Sequence, residues 1–311
     1  MGILQDGGLR FNNPIKLALE ERKRIWPSVK KPDVVVSLGT GTRDTSQSPQ
    51  LGSPKTFMKY SFIPRLWRSF MSSLDGEIEW SDLWNRLDER ERQEYFRLTV
   101  TFPEAEPAID DVASMDLLAA AVRSDLRGAR KRAAAVSALL ISSFYLELDS
   151  LPENVNGVLH CYGAIRCRLD PYTIIRALHR IYPEGLDFVN TLDSTRYPLT
   201  KNDVCWSCKS FRKQVTFTVP SLRTDFEFSL RSTSTHMLRQ ISSMPQSISW
   251  FIKMQELSRP FGSANHGDIY RAACKYCSEP PNDSHTRSRI ESGGSPCKVQ
   301  AKRINLGYHV R

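Results

Sequence analysis

The sequence predicts an α/β protein with a smaller α+β region behind it. Three observations carry that expectation. Val34-Val35-Val36-Ser37-Leu38 is a continuous β-branched and apolar run of the kind that fills strands covered on both faces. Helical and strand patterns alternate through the first half of the chain, which is the arrangement of α/β domains. After residue 151 the pattern changes to short alternating strands with one or two amphipathic helices. A chain of 311 residues, 40% hydrophobic and 25% charged, has room for about two cores. The expected division is 1–151 for the α/β domain, 152–258 for the α+β extension and 259–311 for a basic tail.

Ile3-Leu4 reads as a short strand ending at Asp6. Asn13 as N-cap with Pro14 at the first helical position opens a helix over 14–26, in which Ile15, Leu17, Leu19 and Ile25 alternate with charged residues. The β-branched run over 34–38 follows and is expected to be buried and parallel. Residues 43–56, rich in Ser, Thr, Gln and Pro, read as a loop. A helical region over 74–94 leads to Tyr95-Phe96-Arg97-Leu98-Thr99-Val100, a strand by its content. Helices are expected over 111–126 and 129–148.

In the extension, Cys161, Gly163, Ile165, Cys167 and Leu169 share one face of a strand by period-two spacing, so the two cysteines read as small core residues. A helix over 171–182, strands over 214–219 and 225–232 and a helix over 246–257 complete it. From about residue 258 the sequence turns loop-like, with Pro280-Pro281 and Ser292-Gly293-Gly294-Ser295-Pro296, and disorder is expected.

The net charge of +9 is concentrated late. Residues 259–311 hold nine Lys or Arg against four Asp or Glu, a net of +5. A dispersed basic tail of this kind is most often simply solvated, and no module that interleaves aromatic and basic residues accompanies it, so no nucleic-acid partner is expected. The longest mostly apolar run, 133–141 with Ser137 inside it, falls far short of the roughly 20 residues a spanning helix needs. No secretory signal is recognised at the start, and seven cysteines favour reduced thiols. A cytoplasmic protein, peripheral at membranes, is the expectation.

The order of motifs is more specific than the composition. Asp6-Gly7-Gly8, then Asn12-Asn13-Pro14, Trp26-Pro27, Val35-Val36-Ser37-Leu38-Gly39-Thr40-Gly41, Tyr95-Phe96-Arg97-Leu98 and Ile109-Asp110-Asp111 follow one another across the first 125 residues. This arrangement resembles the patatin-like phospholipases, and residues 161–262 resemble more loosely the extension of long multidomain members. The resemblance implies a three-layer α/β domain and a lipid acyl hydrolase with a Ser-Asp dyad and no cofactor. It also implies work at a lipid or membrane surface. Asp6 matches the base that takes the serine's proton, with Gly7 and Gly8 as its backbone supports.

One departure from the family pattern limits what the chain can do. A Gly-x-Ser-x-Gly elbow needs two glycines four positions apart, and none of the sixteen glycines forms such a pair. The only glycine doublets are Gly7-Gly8 and Gly293-Gly294, so a glycine-rich oxyanion loop is missing too. The expectation is the downstream part of a patatin-like domain, incomplete and inactive alone, because nucleophile and oxyanion donors supply most of the barrier reduction in acyl transfer. An incomplete sheet also leaves a strand edge open to self-association. The competing class is a non-catalytic interaction or lipid-surface protein.

Other signals point elsewhere. Cys205-x-x-Cys208 and Cys274-x-x-Cys277 could supply four thiolates to a structural zinc, although 65 residues separate them against the roughly 15–20 of a compact ribbon. Gly39-Thr40-Gly41 lacks the third glycine of a dinucleotide fingerprint, since Asp44 stands there. Ser37, without a preceding glycine, reads as a satisfied core hydroxyl. Arg127 to Arg132 read as a solvated turn at a helix start, and the six histidines show no metal-ligand spacing.

Overall fold

The computed structural model describes residues 13–43, 76–102, 111–234, 237–258 and 274. It contains both helices and sheets, in keeping with a general α/β class. The chain divides into two compact units, Met1–Ala138 and Leu139–Arg311.

In the first unit, helix α1 (Ile15–Ile25) is followed by strands β1 (Val35–Leu38) and β2 (Thr42–Arg43). Helices α2 (Gly76–Arg86) and α3 (Glu89–Arg92) then lead into β3 (Tyr95–Leu98) and β4 (Thr101–Phe102). Strands β1 and β3 pair in parallel with Val35 opposite Tyr95, and β2 pairs β4 in parallel with Thr42 opposite Thr101. The expected parallel pairing is therefore present. The expected burial on both faces is not, because Ser37 is the one buried residue of β1 and Leu38 is 75% exposed. Val36, on the same face as Leu38, is 36% exposed.

The predicted helix over 74–94 is two helices, and the reason is local. Asp88 starts the second with a capping box: its carboxylate accepts from the Glu91 amide at 2.7 Å while Glu91 Oε2 accepts from the Asp88 amide at 3.3 Å. Asn13 does not cap α1. Pro14 occupies the N-cap without a side-chain hydrogen bond, and the Asn13 amide turns inward.

A 3-10 turn (Val112–Ser114), helix α4 (Met115–Ser124) and helix α5 (Leu126–Ile141) complete the run of helices. The basic Arg127 to Arg132 stretch lies in the first turns of α5, at a helix start as the sequence suggests. Asp125 caps this helix, its carboxylate accepting from the Gly128 amide at 2.9 Å. Helix α5 crosses the division between the units and stops at Ile141, where the sequence suggests continuation to residue 148. Phe144–Leu148 instead forms strand β5, whose side chains alternate between buried and half-buried.

Among the described residues the second unit holds two four-stranded antiparallel sheets and one two-stranded pair, with a core rich in phenylalanine. One sheet runs in the order β10 (Arg212–Val219), β7 (Val158–Cys167), β5, with β6 (Glu153–Val155) also on β7. The other runs β13 (Leu238–Gln240), β12 (Phe228–Ser232), β8 (Leu186–Asn190), β9 (Arg196–Pro198). Phe144, Phe188, Phe211, Phe217, Phe226 and Phe228 are all fully buried. Their rings meet edge-on or tilted, as with Phe144 and Phe188 at 5.2 Å and 73°, the geometry aromatic quadrupoles favour. Gly163 on β7 is required by the sheet itself, since a Cβ there would lie 2.6 Å from the Glu147 carbonyl oxygen.

Helix α6 (Pro171–Ile181) buries Pro171, Ile174, Ile175 and Leu178, one face at helical spacing, and Asp170 caps it by accepting from the Thr173 amide at 3.0 Å. The strand expected over 225–232 is broken at Glu227 into β11 (Asp225–Phe226), which pairs β14 (Gln246–Ser247), and β12. The buried Glu227 carboxylate accepts from Ser229 Oγ at 2.9 Å and Gln240 Nε2 at 2.8 Å. The last helix, α7 (Ile248–Met254), is shorter than the expected 246–257. Beyond it, Gln255 pairs its side-chain amide with both backbone groups of Leu148, accepting from the amide at 2.9 Å and donating to the carbonyl at 3.0 Å.

Candidate metal centre

Each cysteine's chemistry follows from where the fold puts it. Cys161 and Cys167 lie on β7, and burial pushes both thiols up to about 11, so they stay protonated and inert at neutral pH. Cys161 is buried as expected and Cys167 is half-buried.

Cys205 and Cys208 sit on a reversal between β9 and β10. Its stem is the antiparallel bridge between Val204 and Phe211, both buried. Within it the Cys205 amide donates to the Ser210 carbonyl at 2.9 Å and the Lys209 amide to the Cys205 carbonyl at 3.0 Å. Lys209 takes a left-handed backbone (φ 59°), which lets so short a segment turn back on itself. That residue directly follows the second cysteine and is a signal the sequence reading passed over.

The fold brings Cys274 to this reversal. Its sulfur lies 3.9 Å from that of Cys205, and the sulfurs of Cys205, Cys208 and Cys274 all fall within 4.8 Å of one another. None of the five described cysteines forms a disulfide. Three converging thiols at partial burial can hold a metal ion. Cys277, the fourth cysteine of the two pairs, lies outside the described residues, as do Asp6, Gly7 and Gly8 of the expected acid motif.

A second constellation, in the first unit, was not foreseen as a unit. Ser37 on β1 donates to Asn13 Oδ1 at 3.1 Å and accepts from Arg97 Nη1 at 2.9 Å, while Asn13 Nδ2 donates to the Gly76 carbonyl at 2.9 Å. Arg97 on β3 also pairs with Glu77 on α2, with nitrogen-oxygen distances of 2.8 and 2.6 Å. Ser37 is thus a satisfied buried hydroxyl, as its sequence context suggested. The signal for the rest was Arg97 itself, a charge set between Phe96 and Leu98 in a short strand.

Among the described residues, no helix is long and apolar enough to cross a membrane. Comparison with protein-family models, with curated proteins and with solved structures yields no match for this chain.

Proposed function

We propose that the first unit is the downstream part of a patatin-like lipid acyl hydrolase domain, carrying the base of a Ser-Asp dyad at Asp6. The reaction class is hydrolysis of acyl esters through an acyl-serine. The alcohol must come from outside these 311 residues, because no Gly-x-Ser-x-Gly is present. By itself this chain is inert toward esters.

The observation that supports the reading is a convergence. Three of the motifs that carry the resemblance, Asn12-Asn13-Pro14, Ser37-Leu38-Gly39-Thr40-Gly41 and Tyr95-Phe96-Arg97-Leu98, each send one residue into a single hydrogen-bonded chain, Asn13 to Ser37 to Arg97. Residues 24 and 60 positions apart are joined there, on a parallel strand pair. Such a chain holds Asn13 beside Ser37 and Arg97, near the C-terminal ends of the two paired strands, where α/β proteins hold their chemistry.

The lipid surface such an enzyme works at has a candidate contact. Val112, Met115, Leu117 and Leu126 are exposed, and so are Arg127, Arg130 and Lys131, which follow them in the chain. The reaction calls for no cofactor, so a metal at the cysteine cluster is structural in this reading.

A fluorophosphonate probe tests the proposal. The chain alone is expected to remain unlabelled. Joined to the Gly-x-Ser-x-Gly half of a patatin-like domain it is expected to label, and Asp6→Asn to abolish that labelling. Labelling of the chain alone, or labelling of the joined form that ignores Asp6→Asn, would overturn the assignment.

A further inference from the structure

Two cysteine pairs of identical spacing stand 65 residues apart in the chain, and the fold returns the leading member of the second to the first. We infer that this cluster is a structural zinc site in which Cys205, Cys208, Cys274 and Cys277 each give one thiolate to a tetrahedral ion. The first three are assigned by position and the fourth by the repeated Cys-x-x-Cys spacing.

The distances suit the ion. With zinc-sulfur bonds of about 2.3 Å, a regular tetrahedron has sulfur-sulfur edges of about 3.8 Å. The Cys205 to Cys274 separation is 3.9 Å, and no pair among the three exceeds 4.8 Å. A disulfide would demand about 2.05 Å, so the sulfurs stand at the spacing of ligands sharing an ion.

The donor set narrows the metal. Among the described residues no histidine or carboxylate joins the group, and an all-thiolate tetrahedron selects zinc or iron over calcium, magnesium or manganese. Four protein ligands leave no position for water, which makes the centre structural. On binding, four thiols release four protons, and the centre carries a net charge of −2.

The reversal that holds Cys205 and Cys208 is held by contacts of the fold itself. Its stem residues Val204 and Phe211 are anchored in the phenylalanine core, and two backbone hydrogen bonds close it. Zinc therefore ties residue 274 to a framework that the core already fixes. This inference uses none of the acyl-hydrolase chemistry and stands or falls separately from it.

Metal content of the full chain, purified under reducing conditions without chelator or immobilised metal, decides the matter. One zinc per chain is expected by plasma mass spectrometry. Cys205→Ser, Cys274→Ser and Cys277→Ser should each lose it, while Cys161→Ala, a thiol held within the β7 sheet, keeps it. Where a serine variant does not fold, iodoacetamide mapping of the parent chain serves: the four cysteines should be protected together and become reactive together when a chelator is added. No stoichiometric zinc after reconstitution, iron in its place, full zinc in Cys277→Ser, or alkylation indifferent to chelator would each overturn the assignment.

Discussion

Replacing Arg97 with methionine isolates what the buried polar chain contributes. The side chain of Arg97 is 10% exposed and that of its partner Glu77 30%. Methionine keeps most of the volume and removes the charge, so the change removes the Arg97–Glu77 ion pair and one donor to Ser37. Breaking a fully buried pair by removing one partner costs about 3–5 kcal/mol. Glu77 retains enough exposure for water to solvate its carboxylate, and screening reduces the loss to about 2 kcal/mol. At about 1.4 kcal/mol per tenfold, local opening of the β1 and β3 pair becomes about 30-fold more frequent. Amide hydrogen exchange reads that number directly. The Val35 amide donates to the Glu94 carbonyl at 2.8 Å and the Gly39 amide to the Leu98 carbonyl at 2.8 Å, so peptides covering 35–39 report on the pair. Exchange within roughly threefold of the parent chain would refute the reasoning, because it would mean that the Arg97 fork adds nothing to the strand pair.

Two further outcomes follow from the second unit. Gln255→Ala should cost about 2 kcal/mol in a urea titration followed through Trp250, since it removes two hydrogen bonds from the backbone of Leu148 and leaves both groups short of a partner; a loss below about 0.5 kcal/mol would contradict this. Asp170→Ala should destabilise α6 by about 1 kcal/mol at pH 7. The hydroxyl of Thr173 holds the Asp170 carboxyl below its ordinary value. Its contribution is therefore complete above the usual carboxylate range and fades as pH falls through the lowered folded value. The difference between parent and variant should shrink accordingly in acid, and a gap that widens there would be inconsistent with a capping carboxylate.

Where one periodicity dominates, residues and structure agree closely. Helix α6 forms where the sequence suggests a helix over 171–182, and its Asp170 cap and the apolar face of Ile174, Ile175 and Leu178 support the same element. Strand β1 was legible as a parallel strand from the run Val34 to Leu38, but its burial was not, because burial depends on what lies across the sheet. Phe144-Tyr145-Leu146-Glu147-Leu148 was absorbed into the preceding alanine-rich helix. Its apolar residues satisfy both a helical and an alternating pattern, and pairing with β7 settles which one forms. Asn13 had two uses, as a cap or as a hydrogen-bond relay, and Ser37, 24 positions later, claims it for the second. The cysteine cluster shows the same limit from the other side. Spacing singled out Cys205, Cys208 and Cys274, while the 69-residue return from Cys205 to Cys274 is a property of topology.

Helix α5 bears on how this protein can be taken apart. The 16 residues of Leu126–Ile141 form one uninterrupted rod that begins in one unit and ends in the other, its last residue set in the phenylalanine core. A fragment begun at residue 152 would discard β5 with Phe144, Leu146 and Leu148. One begun at 139 would start inside a helix, short of the capping carboxylate at its head. Excision of the later unit should therefore start no later than Asp125, so that the rod travels intact with the half it completes.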